Sequence, residues 1–236
     1  MTKHIFVTGS SRGIGRAIVE RFKDDDVRVI GHRSSDGDEN TIAGDLSDPS
    51  AARRLWDQAL SLLDGRIDVL INNAGIFEAA ALEAPDVAWS DSWTKTMQVN
   101  LTSAAELCRM AVLHYRKADG GRMINIASRA AYRGDSPSHW HYAASKAGMI
   151  GMTKTIARGY AAENILAFAI CPGFTMTGMA EDYLESRGGD ALLADIPLGR
   201  VALPEEIAEA ARFLALSAPP SMTGSVIDIN GASYVR

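Results

Sequence analysis

An open α/β sheet wound in both directions, with helices on its two faces, is the fold that this sequence predicts, and three observations predict it. Short apolar runs alternate with stretches of helical spacing along the whole chain. Those runs are apolar at successive positions, as in Ile165 to Ile170, which marks strands covered on both faces. The 236 residues are 47% hydrophobic, enough for one sizeable core, and no Pro/Gly/Ser-rich linker divides them. A single domain over residues 1–236 with a mostly parallel sheet follows.

The elements are justified in order. His4-Ile5-Phe6-Val7-Thr8 is a first strand, and Ile14, Ala17, Ile18 and Phe22 give a helix from Gly13 to Phe22. Val27 to Gly31 is a second strand, and Thr41-Ile42-Ala43 has the composition of a short third. A helix over Ala51 to Leu63 precedes the strand Asp68 to Asn72. A long helix runs from near Trp93 to Lys117, then a strand from Arg122 to Ala127, then a helix from near Tyr142 to Ala162. The strand Ile165 to Ile170 ends at Cys171-Pro172-Gly173, and a helix over Pro204 to Leu216 leads to a last strand, Ser225 to Asn230. Ser34 to Thr41, Phe77 to Asp91, Ala130 to His141 and Thr175 to Leu203 are the least regular stretches. In a Rossmann-type, doubly wound sheet the loops at the carboxyl ends of the strands surround the ligand crevice, which makes residues near 130–141 and 175–203 the substrate-loop candidates.

Composition excludes several function classes. A formal net charge of −5 gives no general attraction to nucleic acid or to an anionic membrane surface. The two cysteines, Cys108 and Cys171, have no paired spacing, which fits a reduced cytoplasmic setting. The amino terminus enters a short strand in place of a signal-peptide apolar core, and no apolar run reaches the roughly 18 residues of a membrane span. The five histidines form no metal motif; His139 and His141, near Asp135, read as part of a loop beside substrate, and no metal is expected. Trp140 between them either packs that loop or lines a pocket.

Gly9, Gly13 and Gly15, with Ser11 and Arg12 among them, lie between the first strand and the first helix. Glycine admits backbone angles barred to other residues, and a helix amino terminus offers unpaired N–H groups and a favourable field to a pyrophosphate. The spacing, Gly-x-x-x-Gly-x-Gly, differs from the commoner Gly-x-Gly-x-x-Gly. After the second strand the chain reads Gly31-His32-Arg33-Ser34, without the acid that would accept ribose hydroxyls. Arg33 and Arg12 converging on one point would instead hold a ribose 2′-phosphate, which favours NADP over NAD. Asp36 or Asp38 folding back would be the competing acceptor. Asp45, in Gly44-Asp45-Leu46, either accepts from the adenine amino group or caps the next turn. Asn72-Asn73-Ala74-Gly75 closes a strand and can lie along the cofactor.

Tyr142 stands four residues before Lys146, on one face of a helix. A free tyrosine, with a pKa near ~10, is a poor acid–base catalyst at neutrality, and a nearby ammonium favours its phenolate. Lys146 can supply that charge and donate to a ribose hydroxyl. Ser128, at a strand end, can steady a substrate oxygen. Asn100 is an amide inside an apolar helix, either holding a water that links Lys146 to solvent or simply satisfied on a half-exposed face. No Gly-x-Ser-x-Gly elbow or Asp–His order supports a serine-hydrolase triad.

Taken together, Thr8 to Gly15, Asp45, Asn72 to Gly75, Asn100, Ser128, Tyr142-x-x-x-Lys146 and Pro172-Gly173 make the chain resemble the short-chain dehydrogenase/reductase family over nearly all of its length. Within it, the length and the Gly224 to Tyr234 ending resemble the 3-oxoacyl-acyl-carrier-protein reductase-like branch. The resemblance implies that Ser128 positions substrate, Tyr142 is the acid/base, Lys146 holds the nicotinamide ribose and lowers the tyrosine pKa, and Asn100 supports a proton relay. It implies cofactor contacts from Arg12, Ile14, Asp45, Leu46, Asn72, Ala74, Gly75, Tyr142, Lys146 and the segment Pro172-Gly173-Phe174-Thr175-Met176-Thr177. It also implies a homotetramer or homodimer, with Thr96 to Leu113 and Gly148 to Tyr160 at the interface. The expected activity is hydride transfer between NADP(H), or NAD, and a carbonyl/secondary-alcohol pair such as a 3-oxoacyl thioester. The polar segment between Ser128 and Tyr142 also suits a sugar, polyol or small secondary alcohol. A catalytically silent dinucleotide-binding regulator would keep the glycine turn without needing Ser128, Tyr142 and Lys146 together.

Overall fold

The computed structural model describes residues 2–35, 40–177 and 189–236. Seven strands, β1 (Lys3–Val7), β2 (Val27–Arg33), β3 (Thr41–Ala43), β4 (Val69–Asn72), β5 (Gly121–Ile126), β6 (Ile165–Pro172) and β7 (Val226–Ile229), form one sheet. Their order is β3-β2-β1-β4-β5-β6-β7, and every neighbouring pair is parallel. The sheet is thus parallel throughout, where the sequence predicts only a mostly parallel one. The winding reverses between β1 and β4, and a crevice at their carboxyl ends is the physical consequence.

Side-chain alternation along each strand feeds two cores. Phe6 and Leu70 join Leu55, Trp56, Leu107 and Met123 on one face of the sheet. Ile5 and Val7 join Ile18, Phe168, Ile207 and Leu214 on the other. The first face is covered by α2 (Ala51–Leu62), α4 (Ser103–Tyr115) and α6 (Trp140–Tyr160), and the second by α1 (Gly13–Arg21) and α8 (Pro204–Arg212). Tyr115 is fully buried and donates from its hydroxyl to the Arg122 carbonyl at 3.0 Å.

The structure departs from the sequence reading at several element ends. The long helix expected from Trp93 begins earlier, as α3 (Asp86–Met97), with Pro85 at its N-cap and Asp86 favouring the first turn. It is then interrupted by a π-helical turn over Gln98–Thr102 before α4 begins. A π-turn also ends the Pro204 helix, over Phe213–Ser217. Two short helices, α5 (Ala130–Arg133) and α7 (Gly189–Ala194), lie in stretches read as irregular. Neither is long enough to show a helical period. Among the described residues no helix is long and apolar enough to cross a membrane.

Candidate active site

The crevice is built from the turn that leaves β1. Gly9 has φ +67°, and a Cβ there would stand 2.7 Å from the Ala74 Cα, so this position takes glycine on both counts. Thr8 Oγ1 accepts from the Asn73 amide at 3.0 Å and from the Ala74 amide at 3.1 Å. Asn73 Nδ2 returns bonds to the Thr8 and Gly9 carbonyls at 3.0 and 2.9 Å. A Cβ on Gly15 would lie 2.1 Å from the Gly9 carbonyl oxygen, so only glycine lets α1 approach the turn. Arg12 is the extended N-cap of α1 and no side chain caps that helix, which leaves its first-turn amides without a side-chain acceptor. Thr177 Cγ2 comes within 3.0 Å of where a Gly13 Cβ would stand, which brings the chain after β6 over the same turn. That segment is anchored by the Gly173 amide to the Ile229 carbonyl at 2.9 Å and the Met176 amide to the Ala202 carbonyl at 2.8 Å. Thr175 Oγ1 donates to the Gly173 carbonyl at 3.2 Å. A cradle that any Cβ would fill, at an uncapped helix amino terminus, fits the pyrophosphate of a dinucleotide.

The neighbouring strand tips are tied to this turn by a residue to which the sequence reading gave no role. His32 is 3% exposed on β2. Its Nδ1 accepts from the Gly9 amide at 3.2 Å, and its Nε2 meets the Gly44 carbonyl at 2.8 Å. Arg33 is the last residue of β2, and its carbonyl accepts from the Gly44 amide at 3.0 Å. Asp45 Oδ1 accepts from the Ser47 amide at 2.9 Å, the turn-capping half of the two readings, and this bond is the main reason its pKa is lowered. Leu46 is buried in the core. Asp36 and Asp38 lie outside the described residues.

Asn72 and Asn73, adjacent in sequence, have separate tasks. Asn72 faces inward, donating from Nδ2 to Asn125 Oδ1 at 2.8 Å and towards Cys108 Sγ at 3.2 Å. Asn125 in turn donates to Thr153 Oγ1 at 2.8 Å, a polar chain joining β4, β5 and α6. The structure therefore gives Asn73, with Ala74 and Gly75, the crevice side of this motif, and Asn72 the sheet interior.

The predicted chemical group comes together at the carboxyl end of β5. Ser128 lies two residues past that strand, and its Oγ accepts from the Ala130 amide at 3.1 Å. Tyr142 and Lys146 share a face of the first turns of α6, with the Lys146 Nζ 5.9 Å from the tyrosine ring centre. Lys146 is 4% exposed and donates to the Ile126 carbonyl at 2.8 Å. Burial lowers its pKa to about 8. Burial raises the Tyr142 pKa, and the hydrogen bond with Ser128 offsets part of that rise. Burial dominates both groups here, holding the phenol above and the ammonium below its ordinary value.

Asn100 has no exposed surface and sits in the π-turn. Its Oδ1 accepts from the Ile76 amide at 2.8 Å, and its Nδ2 donates to the Ile76 carbonyl at 3.0 Å and Ser145 Oγ at 3.3 Å. The buried amide is thus satisfied by backbone and a serine, a third arrangement beside the water-binding and half-exposed readings. A Cβ on Gly75 would lie 3.4 Å from both Asn100 Oδ1 and Lys146 Nζ, which puts these groups around one point.

An aromatic wall that the sequence did not reveal stands beside the tyrosine. Phe77 stacks on His139 with ring centres 3.9 Å apart and planes at 5°, and meets Tyr142 edge-on at 4.8 Å. It stays 40% exposed. Trp140 points elsewhere, lining a cavity of about 360 Å³ with Leu82, Ala84, Asp86 and Trp89. Arg129 is buried, lies 5.1 Å over the Phe174 ring, and shares Asp195 Oδ2 with Arg133 at 3.4 and 2.7 Å. Among the described residues no group of His, Cys, Asp or Glu could hold a metal. Of the 175–203 loop, residues 178–188 lie outside the described residues.

Known proteins with this pattern are numerous. A family model described as enoyl-(acyl carrier protein) reductase matches residues 9–232. The 3-oxoacyl-(acyl-carrier-protein) reductase FabG of Vibrio cholerae is 34% identical over 244 residues, covering 99% of this chain and 98% of that protein. The Chlamydia pneumoniae protein of the same name is 36% identical over 245 residues, covering 97% and 96%. Among solved structures, the ligand-free aldohexose dehydrogenase of Thermoplasma acidophilum superposes with a TM-score of 0.87 at 29% identity, covering 100% of this chain and 95% of that one.

Proposed function

Because this chain belongs to the short-chain dehydrogenase/reductase family and is an NAD(P)-dependent oxidoreductase of carbonyl/alcohol pairs, we propose that it is an NADP(H)-dependent reductase of a 3-oxoacyl thioester. The observation that carries the reading is the convergence of Ser128, Tyr142, Lys146 and Asn100 beside a glycine cradle shaped for a dinucleotide. A bound nicotinamide dinucleotide supplies or accepts the hydride. Gly9, Ser11, Arg12, Gly13, Ile14 and Gly15 hold its pyrophosphate, Arg33 and Arg12 its 2′-phosphate, and Asp45 and Leu46 flank its adenine. Asn72, through the sheet interior, supports Ala74 and Gly75, which line the crevice with Pro172, Gly173, Thr175 and Thr177.

In reduction, the Tyr142 phenol donates a proton to the carbonyl oxygen while the Ser128 hydroxyl steadies the negative charge growing there. Lys146 stabilises the phenolate left behind and holds the ribose, and Asn100 keeps the surrounding backbone in place for reprotonation. In oxidation the same groups run in reverse. A homotetramer or homodimer is part of the proposal, supported by Leu113 standing 45% exposed on α4. So is a cytoplasmic setting, supported by the two free, buried cysteines.

A second reading, a sugar or small secondary-alcohol dehydrogenase, is favoured by the exposed Phe77 ring beside Tyr142 and by the likeness to an aldohexose dehydrogenase. NADPH and NADH oxidation across a 3-oxoacyl thioester, small ketones, diketones and keto-sugars separates the two. Turnover of the thioester with NADPH is expected, and activity confined to sugars would move the assignment to the second reading. Tyr142→Phe should bind cofactor nearly as before and lose most turnover with every substrate; unchanged turnover would remove the proton donor.

A further inference from the structure

The imidazole of His32 touches two turns that the proposed function assigns to two parts of one cofactor, its pyrophosphate and its adenine. Gly9 and Gly44 each contact one ring nitrogen, at 3.2 and 2.8 Å. A backbone amide only donates and a carbonyl only accepts. Nδ1 must therefore offer a lone pair to Gly9, and Nε2 must carry the hydrogen that goes to Gly44. The ring is thereby held as the neutral Nε2–H tautomer, with no lone pair or proton to spare. The His32 carbonyl completes the connection, accepting from the Ser10 amide at 2.8 Å and from Ser10 Oγ at 3.2 Å. Space around it is closed, since a Cβ on Gly31 would lie 2.2 Å from Ser10 Oγ.

We propose that His32 is a positioning residue that couples the pyrophosphate turn to the adenine-side turn, and that protonation of its ring uncouples them and weakens cofactor binding. The inference rests on the reading of 9–15 and 44–46 as the cofactor site. An imidazolium would set Nδ1–H against the Gly9 N–H, donor against donor, and the turn could keep its place only by moving. Among the described residues the charged group that faces the ring is Asp45, on the turn after β3; the β1 turn meets it with Gly9 and Ser10, which are uncharged. Asp45 favours the cation, but burial outweighs it and lowers the histidine pKa from 6.5. The neutral ring thus holds the turns together at neutral pH, and the coupling is lost as the pH falls through the lowered pKa of the folded state. The reacting end of the site is untouched, so kcat at saturating cofactor should not follow the same curve.

The test is NADP⁺ binding by titration calorimetry from pH 8 to pH 5 on the unmodified protein, His32→Asn and His32→Gln. The asparagine carbonyl can take the Nδ1 place and accept from Gly9, while the longer glutamine amide can reach the Gly44 carbonyl; neither titrates. Both variants share the 2′-phosphate and its arginines, so only the difference from the unmodified protein reports on His32. The unmodified protein should lose about tenfold more affinity in acid than His32→Asn, the scale of one hydrogen bond lost. His32→Gln, lacking the Gly9 contact, should bind more weakly than His32→Asn at pH 8. Parallel curves for the unmodified protein and His32→Asn would overturn the coupling alone. Absence of NADP⁺ binding by the unmodified protein at pH 8 would overturn the cofactor reading and the inference with it. Nitrogen-15 shifts of His32 in the unmodified protein need no variant to fold, and a protonated Nδ1 at pH 8 would also overturn the coupling.

Discussion

The Lys146 ammonium gives up its hydration where it sits and recovers one hydrogen bond, to the Ile126 carbonyl. Its pKa falls from 10.5 to about 8. The unfolded chain therefore holds this proton between pH 8 and 10.5 while the native state has let it go, so stability rises with pH through that window. Below pH 8 the cost is fully present, of order 1–3 kcal/mol. Lys146→Met should accordingly be the more stable protein at pH 7, by about 1–3 kcal/mol, while losing turnover. Urea unfolding of both proteins at pH 7 and at pH 10 checks it, and a gap that fails to narrow at the higher pH would show that packing, not the charge, sets the difference. At Arg33 the expectation concerns choice of cofactor: Arg33→Asp should weaken NADPH about tenfold more than NADH, the scale of one charge-assisted hydrogen bond. Equal losses in direct binding would remove the arginine from 2′-phosphate recognition. The Tyr142–Lys146 pair was legible in the sequence because four residues on a helix is a local distance. His32 was not, since the partners of its ring come from two other turns.

Among the elements, the α1 amino terminus and the polar chain across β4, β5 and α6 carry the clearest consequences. Gly15→Ala would push a Cβ into the Gly9 carbonyl, which stands 2.1 Å away. It should destabilise the fold by about 1–3 kcal/mol and weaken NADP⁺ binding together, read by thermal unfolding and calorimetry. Asn125→Ala should cost about 2 kcal/mol, because it leaves the Asn72 amide only its Cys108 contact and takes the donor from the Thr153 oxygen inside the protein, with little change in the KM for cofactor. A loss of cofactor affinity larger than the loss of stability would move Asn72 back to the crevice. The strands were read to within about two residues because each is a short stretch rich in apolar residues between turns. The π-turn at Gln98–Thr102 was not; within it the Asn100 side-chain amide bonds both backbone groups of Ile76, a partner 24 positions away in a loop. Helices of four and six residues, α5 and α7, show no period for a sequence to display.

At the scale of the whole molecule, two apolar cores on a parallel sheet leave Leu113 exposed on α4, a helix proposed to meet a second copy. Light scattering after size exclusion should give a dimeric or tetrameric mass, and Leu113→Asp should shift it towards monomer with the monomer still folded. A monomeric mass for the unmodified protein would end that part of the proposal. The sequence by itself determined the alternation of strand and helix, and with it the doubly wound sheet. Local spacing also marked the glycine turn and the Tyr142–Lys146 pair, and the resemblance to the family, carried by the order of several motifs, added Ser128 and Asn100 as candidates. Only the tertiary structure decided that Asn73 rather than Asn72 faces the crevice, that burial raises the tyrosine pKa while Ser128 offsets part of the rise, and that Phe77 stands beside Tyr142. Each of those depends on which groups distant in the chain are brought within 3 to 5 Å, and on how much water the packing leaves them.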